Sequence, residues 1–499
     1  MKRKIFNFNF KRFKRIERIE LFDTTGLEPH TIKSLNLVIL AVAFGTISFN
    51  INGGVAMTGY LKELGTSDFT FGILYAIGPL AAPMQLVTSY ILERTRKRKL
   101  ILIAGGIVQR MSWLPFGLVP FFVPMEQPLL RIWMVSLFMM VSAVLVPLVN
   151  VPFFSLAADL VPMNIRGSYF AVRSRVTTIF GVAGGILTAW LLDAFTGFNS
   201  YALVFTLSAI AGTLDIICFF GVKFPPMAER PEKTDKTDKI DKTEKTEKAE
   251  KADKSNRFTS IIYGVIKNKS YMRFIIFMTL WLFSTSLSGP FYLVYLRNTV
   301  VLSNTLITVL VQILPSMCSI IIVRRWGRAI DSHGNKTIMQ IANGILCFAP
   351  FLWIITPGNN DAAAIIMVAV IGFMQGCLTS GFEIGANNIM LGHAPQVNRS
   401  MYIAVYFTTT SMLGTGLGNA MGGWLLDNVF SIFERMDIII LGVKMTRYNY
   451  IFALTAVLRC VMIYIALPRL IHEDNNTPVR ELLQLAYKRI CMSIKKSKS

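Results

Sequence analysis

Arg110, Arg173, Asp215 and Glu383 are ionisable residues set inside long apolar stretches of this sequence. An ionisable group at mid-bilayer costs a few kcal/mol by insertion scales, so each needs a chemical reason to be there. Arg110 lies 11 residues beyond Lys99, about 16 Å along a helix, and Glu383 lies about 14 Å from the end of its own stretch, at a rise of roughly 1.5 Å per residue. A carboxyl group at that depth favours its neutral form, so Glu383 could take up and release a proton as a substrate moves. The plainer alternatives are a structural ion pair, for instance with Arg459, or a hydrogen-bonding role alone. Arg110 has two readings of its own: anion binding, or burial in a pair with Asp215 at similar depth. Arg173 shares a helical face with Arg166 two turns away and could present its charge to a substrate.

Uncharged residues extend this set. Asn150 precedes Arg166 by 16 residues, as Glu383 precedes Arg399. Asn50, Asn52, Ser284, Thr285, Ser286, Gln312, Gln375, Tyr402 and Tyr406 add amides, hydroxyls and rings. Such groups suit a polyol or sugar, which offers hydroxyls and an apolar ring face. The same residues could instead do no more than join helices.

The elements that carry them are apolar segments of membrane-crossing length. The chain has 499 residues, 53% hydrophobic and 16% charged. Cut at its charged breaks it yields about twelve segments of roughly 20 to 31 residues, each able to cross the hydrocarbon core. They run over 35–61, 69–92, 100–124, 130–160, 167–195, 201–223, 270–296, 304–326, 337–356, 362–392, 400–429 and 448–468. A soluble α/β protein would alternate shorter strands with amphipathic helices, so the fold class is an all-α, polytopic membrane protein.

The net charge of +22 is unevenly placed. Basic clusters at Arg94 to Lys99, Arg166, after Lys223, at Arg324 to Arg328, at Arg399 and in the tail follow even-numbered segments. The loops after odd-numbered ones carry few basic residues, among them Lys62, Arg131 and Arg297. The positive-inside rule then puts both termini in the cytoplasm, in a multi-pass cytoplasmic membrane protein whose basic loops face anionic lipids. Residues 1–34 read as a basic, membrane-surface segment and not a signal peptide, because no apolar run follows the charges directly. No soluble basic domain exists to bind nucleic acid. The six cysteines and four histidines show no metal or disulfide spacing, so no metal or cofactor is expected.

Residues 224–268 form a charged linker, with the repeat TDKTDKIDKTEKTEKAEKADK reading as a solvated tether. It divides a bundle at 35–223 from a second at 269–468, leaving a tail at 469–499. The two halves match in sequence. Tyr60-Leu61-Lys62 corresponds to Tyr295-Leu296-Arg297, Glu93 to Asp331, Arg166 to Arg399, and GGILTAWLLD ending at Asp193 to GGWLLD ending at Asp427. The separations are 235, 238, 233 and 234 residues. Four landmarks in one register indicate a duplicated six-helix unit, and so twelve helices in two pseudo-symmetric bundles.

GRAIDSHGNK, from Gly327 to Lys336, resembles the G-x-L-x-D-R-x-G-R-K signature of the major facilitator superfamily. SYILERTRKR, from Ser89 to Arg98, is similar to it in degraded form, with Glu93 for Asp and Arg96 for the second Gly. The resemblance covers about residues 35 to 468. It implies alternating access between two rocking halves, with helices 1, 4, 7 and 10 lining a central cavity. It further implies a cytoplasmic gate in which Asp331 meets the start of helix 5 near Arg166, and Glu93 the start of helix 11 near Arg399. Arg94, Gly327 and Gly334 belong to the same loops, and Gly334 fits the need for a tight turn. Alternatively these charges only fix topology. The glycines at 181–185 and 414–423 suit close packing of helices 5 and 11. Helix 5 has Phe180-Gly181 where many drug antiporters of the family have Gly-Pro.

The function expected is secondary active transport of a small solute, sugar-like or an organic anion, coupled to protons, by a monomer. The alternative is an exporter of amphipathic drugs or lipid-like compounds. An enzyme is not expected: no nucleophile motif, paired carboxylates or phosphate loop is present. A transporter-like sensor would use the linker as a docking segment, against which its simple repeat argues.

Overall fold

The computed structural model describes residues 27–162, 165–225, 263–358, 362–395, 399–440 and 443–470. Most of the N-terminal segment, the charged linker and the tail therefore lie outside the described residues. What remains is helical. The helices are α1 (Pro29–Glu63), α2 (Asp68–Thr95), α3 (Arg98–Phe122), α4 (Pro128–Leu160), α5 (Arg166–Ala194) and α6 (Phe198–Cys218). After the linker come α7 (Lys269–Asn298), α8 (Asn304–His333), α9 (Asn335–Ile354), α10 (Ala362–His393), α11 (399–434) and α12 (Arg447–Arg469). Eleven are long and apolar enough to cross a membrane. The twelfth, α11, is a continuous run of α- and π-helical turns in which Gly, Thr and Asn dilute the apolar residues.

The second group of six helices repeats the packing of the first. α1 packs on α5 and α6 as α7 packs on α11 and α12, and α4 receives α2 and α3 as α10 receives α8 and α9. Two apolar clusters, one in each group, lie at the end bearing the basic loops, hereafter the basic face. One surrounds Leu35, Leu102 and Tyr169, the other Phe274, Met339 and Tyr406. At the opposite, far face a single cluster joins both groups, with Tyr60, Phe116 and Phe205 from the first beside Phe291, Trp353 and Phe452 from the second. The molecule is thus one body at its far face and two at its basic face.

Helix interruptions follow the same symmetry. α1 breaks at Asn52-Gly53 and α7 at Gly289-Pro290, and the far segments of the two, Gly54–Glu63 and Phe291–Asn298, pack together. Prolines inside helices, such as Pro79, Pro120, Pro147 and Pro152, are tolerated because neighbouring helices shield the freed backbone groups. A short hairpin of β1 (Ile439–Ile440) and β2 (Val443–Lys444) joins α11 to α12.

Each of the two signature loops turns through a residue of positive φ. Gly334 ends α8 at φ 87°, and Arg96, its counterpart after α2, takes φ 52°. A side chain in this left-handed region costs about 1–2 kcal/mol, which glycine avoids. Arg96→Gly is expected to stabilise the protein by about 1 kcal/mol, read as a higher unfolding temperature of the purified chain in detergent.

Candidate functional site

Between the two halves, on the basic side of the far-face cluster, lies a cavity in two parts. The first, about 480 Å³, is lined by α1, α4, α5 and α6 and by Arg110 of α3, with Gln312 and Ser316 reaching in from α8. The second, about 500 Å³, is lined by α7, α8, α9, α10 and α12. Thr178 and Ser316 border both parts.

In the first part, Arg110 Nη2 donates to Asp215 Oδ2 at 2.8 Å, so these two form a buried pair. Of the two readings of Arg110, pairing is the one realised, although both residues still border the cavity. Arg173 has no carboxylate within ion-pair distance among the described residues. Its guanidinium lies 5.1 Å from the Phe153 ring and 5.9 Å from that of Phe170. Asn150 lines the same space. Asn50 accepts a hydrogen bond from Gln312 across the halves and donates to Thr46 O at 2.9 Å. Gln312 stands in a π-helical turn of α8, Val309–Ile313, a local widening that often marks functional positions. A smaller cavity of about 240 Å³ lies on the other side of the Asn50–Gln312 contact, so this bond is a partition between two spaces.

In the second part, Glu383 and Gln375 line the wall with Thr285, Asn343, Ser380 and Arg459. Glu383 makes no hydrogen bond or ion pair with another described residue, so the expected alternative of a Glu383–Arg459 pair is not realised. Ser284 and Ser286 do not line the cavity, and three further expected site residues lie elsewhere. Asn52 joins α1 to α6, accepting from Ser208 Oγ at 2.7 Å. Tyr402 is buried against Tyr271 and donates to Gly264 O at 3.2 Å. Tyr406 stacks on Phe274, centroids 5.5 Å apart. Each faces a neighbouring helix instead of the cavity, a rotation about the helix axis that depth in the membrane does not reveal.

At the basic face, Glu93 and Arg94 are exposed in the last turn of α2, and Asp331 is exposed near the end of α8. Asp331 makes no hydrogen bond or ion pair with another described residue, and Arg166 donates to Val161 O at 3.3 Å, within its own half. The Asp331–Arg166 contact is therefore not formed in this structure, as expected when the halves are apart at this face. Gly327 has open space where a side chain would begin. Arg399 starts α11, and its side chain lies outside the described residues. Arg98, counted above with the loop charges, instead binds Asp159 at 2.6 Å, Ser155 and Pro225 O, with its side chain 3% exposed.

The far face is held by residues read above only as repeat landmarks. Asp193, ending α5, accepts from Asn304 N at 2.9 Å and Thr305 N at 2.8 Å, the first turn of α8. Asp427, in α11, accepts from Phe69 N at 2.7 Å, the first turn of α2. A helix start has unpaired N–H groups and a positive dipole end, so a carboxylate there is favourable by about 0.3–1 kcal/mol. Serines at equivalent positions, Ser67 and Ser303, cap the same two helices from within their own chain segment. Around the Asp427 contact, the wholly buried Asp68 meets Lys62 at 2.5 Å, Arg447 at 3.1 Å and Tyr448 at 3.2 Å, and Arg447 also reaches Asp427 at 3.3 Å. α2 and α11 touch through Gly72 and Gly423, where a side chain would strike the backbone of the opposite helix.

A family model of the Major Facilitator Superfamily matches residues 37–370 and 310–489. Among curated proteins there is no match. Solved structures of similar fold include a bacterial homologue of the human lysosomal transporter Spinster, inward-facing and occupied, with TM-score 0.63 and 15% identity over 89% of this chain and 96% of that one. The xylose transporter XylE from E. coli, inward open, gives TM-score 0.61 and 13% identity over 90% and 99%. The nucleoside transporter NupG gives TM-score 0.55 and 14% identity over 89% and 100%. At these identities the likeness concerns the fold.

Asp193→Asn combined with Asp427→Asn is expected to loosen the far face, shifting the balance of states about tenfold if each contact contributes about 0.7 kcal/mol. The check is labelling of Val55→Cys, which borders the smaller cavity, by a membrane-impermeant maleimide: the double variant should label faster than its Val55→Cys parent.

Proposed function

This chain belongs to the Major Facilitator Superfamily, and from that premise we propose that it is a proton-coupled secondary active transporter of a small polar solute. The observation that carries this reading is Glu383, a carboxyl group without a partner among the described residues, in a cavity walled by both halves. A coupling carboxylate must be reachable by proton and substrate in turn, and a permanent ion pair would remove it from both. The basic face is taken as cytoplasmic, in keeping with the distribution of Lys and Arg, and the present state is then open to the cytoplasm. Substrate release or capture on this side would be followed by closure, with Asp331 approaching Arg166 and Glu93 approaching Arg399 as Asp193 and Asp427 leave their helix starts. Asn50 and Gln312 would part at the same time, joining the smaller cavity to the main one. Arg110 and Asp215 serve as a fixed polar wall, and Arg173, Asn150 and Gln375 as contacts for the solute. The protein is placed in the cytoplasmic membrane as a monomer with membrane lipids around it.

Export of amphipathic compounds is a second reading, favoured by one feature: Phe49, Phe153, Phe154 and Phe219 all line the first part of the cavity. Aromatic walls receive apolar bodies well, and Arg173 beside them would take a charged head.

Reconstitution in liposomes containing a pH-sensitive dye separates these. Addition of substrate is expected to move protons with the wild type and not with Glu383→Gln, the sign of the movement giving symport or antiport. Substrate flux without proton movement, equal in both proteins, would demote Glu383 to a structural role. Apolar dyes as the transported compounds would favour the export reading.

A further inference from the structure

The two halves charge one pair of corresponding helices differently. In the first half, α3 supplies Arg110 and α6 supplies Asp215, and the two neutralise each other. In the second half the corresponding helices are α9 and α12. Here α12 carries the cation, Arg459, and α9 offers Asn343. No carboxylate pairs with Arg459 among the described residues. Its guanidinium sits 5.9 Å from the Trp281 ring, and its Nε has no hydrogen-bond partner although the residue is 6% exposed. Both amide atoms of Asn343, 1% exposed, and Ser380 Oγ also lack partners. These three residues and Glu383 line the same 500 Å³ part of the cavity.

A buried polar atom without a partner is costly, and an unpaired charge more so. A ligand that supplies the missing partners recovers that cost on binding. Arg459 calls for a carboxylate, which suits a guanidinium in geometry and charge. Asn343 and Ser380 can add hydrogen bonds to the same group or its neighbours. Glu383 calls for a donor, best an ammonium. A sugar would satisfy Asn343 and Ser380 but leave both charges unpaired. A simple anion would leave Glu383 without a partner beside added negative charge, and a simple amine would leave Arg459 so.

We propose that this part of the cavity is a subsite for a zwitterion of the amino-acid type, its carboxylate on Arg459 and Asn343 and its ammonium on Glu383. The proposal rests on the transporter reading and names its substrate class. Arg173, which lines the other part of the cavity and has no carboxylate partner among the described residues, favours a zwitterion with an additional acidic group.

The test is calorimetric titration of the purified full chain with L-alanine, L-glutamate, glutarate, 1,5-diaminopentane and D-xylose. L-Glutamate is expected to bind at least about tenfold more tightly than glutarate, which lacks the ammonium, and than the diamine or xylose. Glu383→Gln should narrow the glutamate–glutarate difference, and Arg459→Lys should retain more glutamate binding than Arg459→Gln. Glutarate or xylose binding as tightly as the amino acids would overturn the proposal, and this comparison uses wild-type protein, so it does not depend on any variant folding. Undiminished glutamate binding by a folded Arg459→Gln variant would also overturn it. Liposome flux separates the two claims. Flux of another solute with no amino-acid binding would end this inference and leave the transporter reading standing. Amino-acid binding without flux of any compound would do the reverse.

Discussion

Two carboxylates, each at the end of a helix in one half and against the start of a helix in the other, decide how this molecule stands. Asp193 closes α5 onto α8, and Asp427 closes α11 onto α2. Backbone N–H groups at a helix start have no partner within the helix, and each carboxylate supplies one across the seam at the positive end of the helix dipole. Lipid gives two apolar helices little reason to prefer each other over acyl chains, so close backbone packing and polar contacts must supply the preference. The seam has both, with Gly72 and Gly423 at the backbone contact. Once the far ends are joined, two six-helix bodies must diverge at their other ends. The divided apolar core on the basic side and the cavity above it follow from that one constraint. The breaks in α1 and α7 serve it too, since their far segments join the seam while their longer segments stay with the cavity wall.

Duplication explains the symmetry, and divergence within it explains the chemistry. Two Asp residues at equivalent positions make equivalent latches, and two serines cap the receiving helices. The cavity wall has not kept this equivalence. The first half has Asn150 where the second has Glu383, and α3 and α6 of the first carry a closed Arg110–Asp215 pair while α12 of the second carries an open Arg459. In the proposed transport cycle latches must match, because both would release in one movement. Walls need not, because the proposed zwitterion has two different ends.

Much of this was legible in the sequence, and the reason is physical. A charge in an apolar stretch stands out, and its depth can be counted at a fixed rise per residue, so Arg110 and Asp215 stand out as possible partners. Four landmarks in register were enough to indicate the duplicated unit. What counting does not supply is the rotation of a helix about its axis. Asn50 and Asn52 are two residues apart, yet one lines the cavity and the other binds Ser208. Tyr402 and Tyr406 were indistinguishable from cavity residues until their neighbours Tyr271 and Phe274 were known. Asn343 and Ser380 give no signal in the sequence, because an uncharged residue in a span is ordinary. Asp193 and Asp427 were visible as landmarks, but their roles depend on partners 111 and 358 residues away in the chain. Arg98 shows the converse: a residue in a basic cluster is not thereby a loop charge, since its partner Asp159 comes from the end of a different helix.

The cavity also poses a question of cost, because an arginine without a carboxylate is expensive within a membrane. Arg459 and Arg173 meet it in the same way, each held against aromatic rings: Trp281 for the one, Phe153 and Phe170 for the other. A cation near an aromatic face gains about 0.5–2 kcal/mol, less than a buried ion pair can gain in attraction. The contact also leaves the edge of the guanidinium free to donate hydrogen bonds. A carboxylate would occupy those donors and would have to be displaced before any ligand could bind, as Asp215 now occupies Arg110. An aromatic neighbour fixes where the charge sits without using what the charge can do. That distinction separates Arg110, which holds the wall together, from Arg173 and Arg459, which remain able to hold something else.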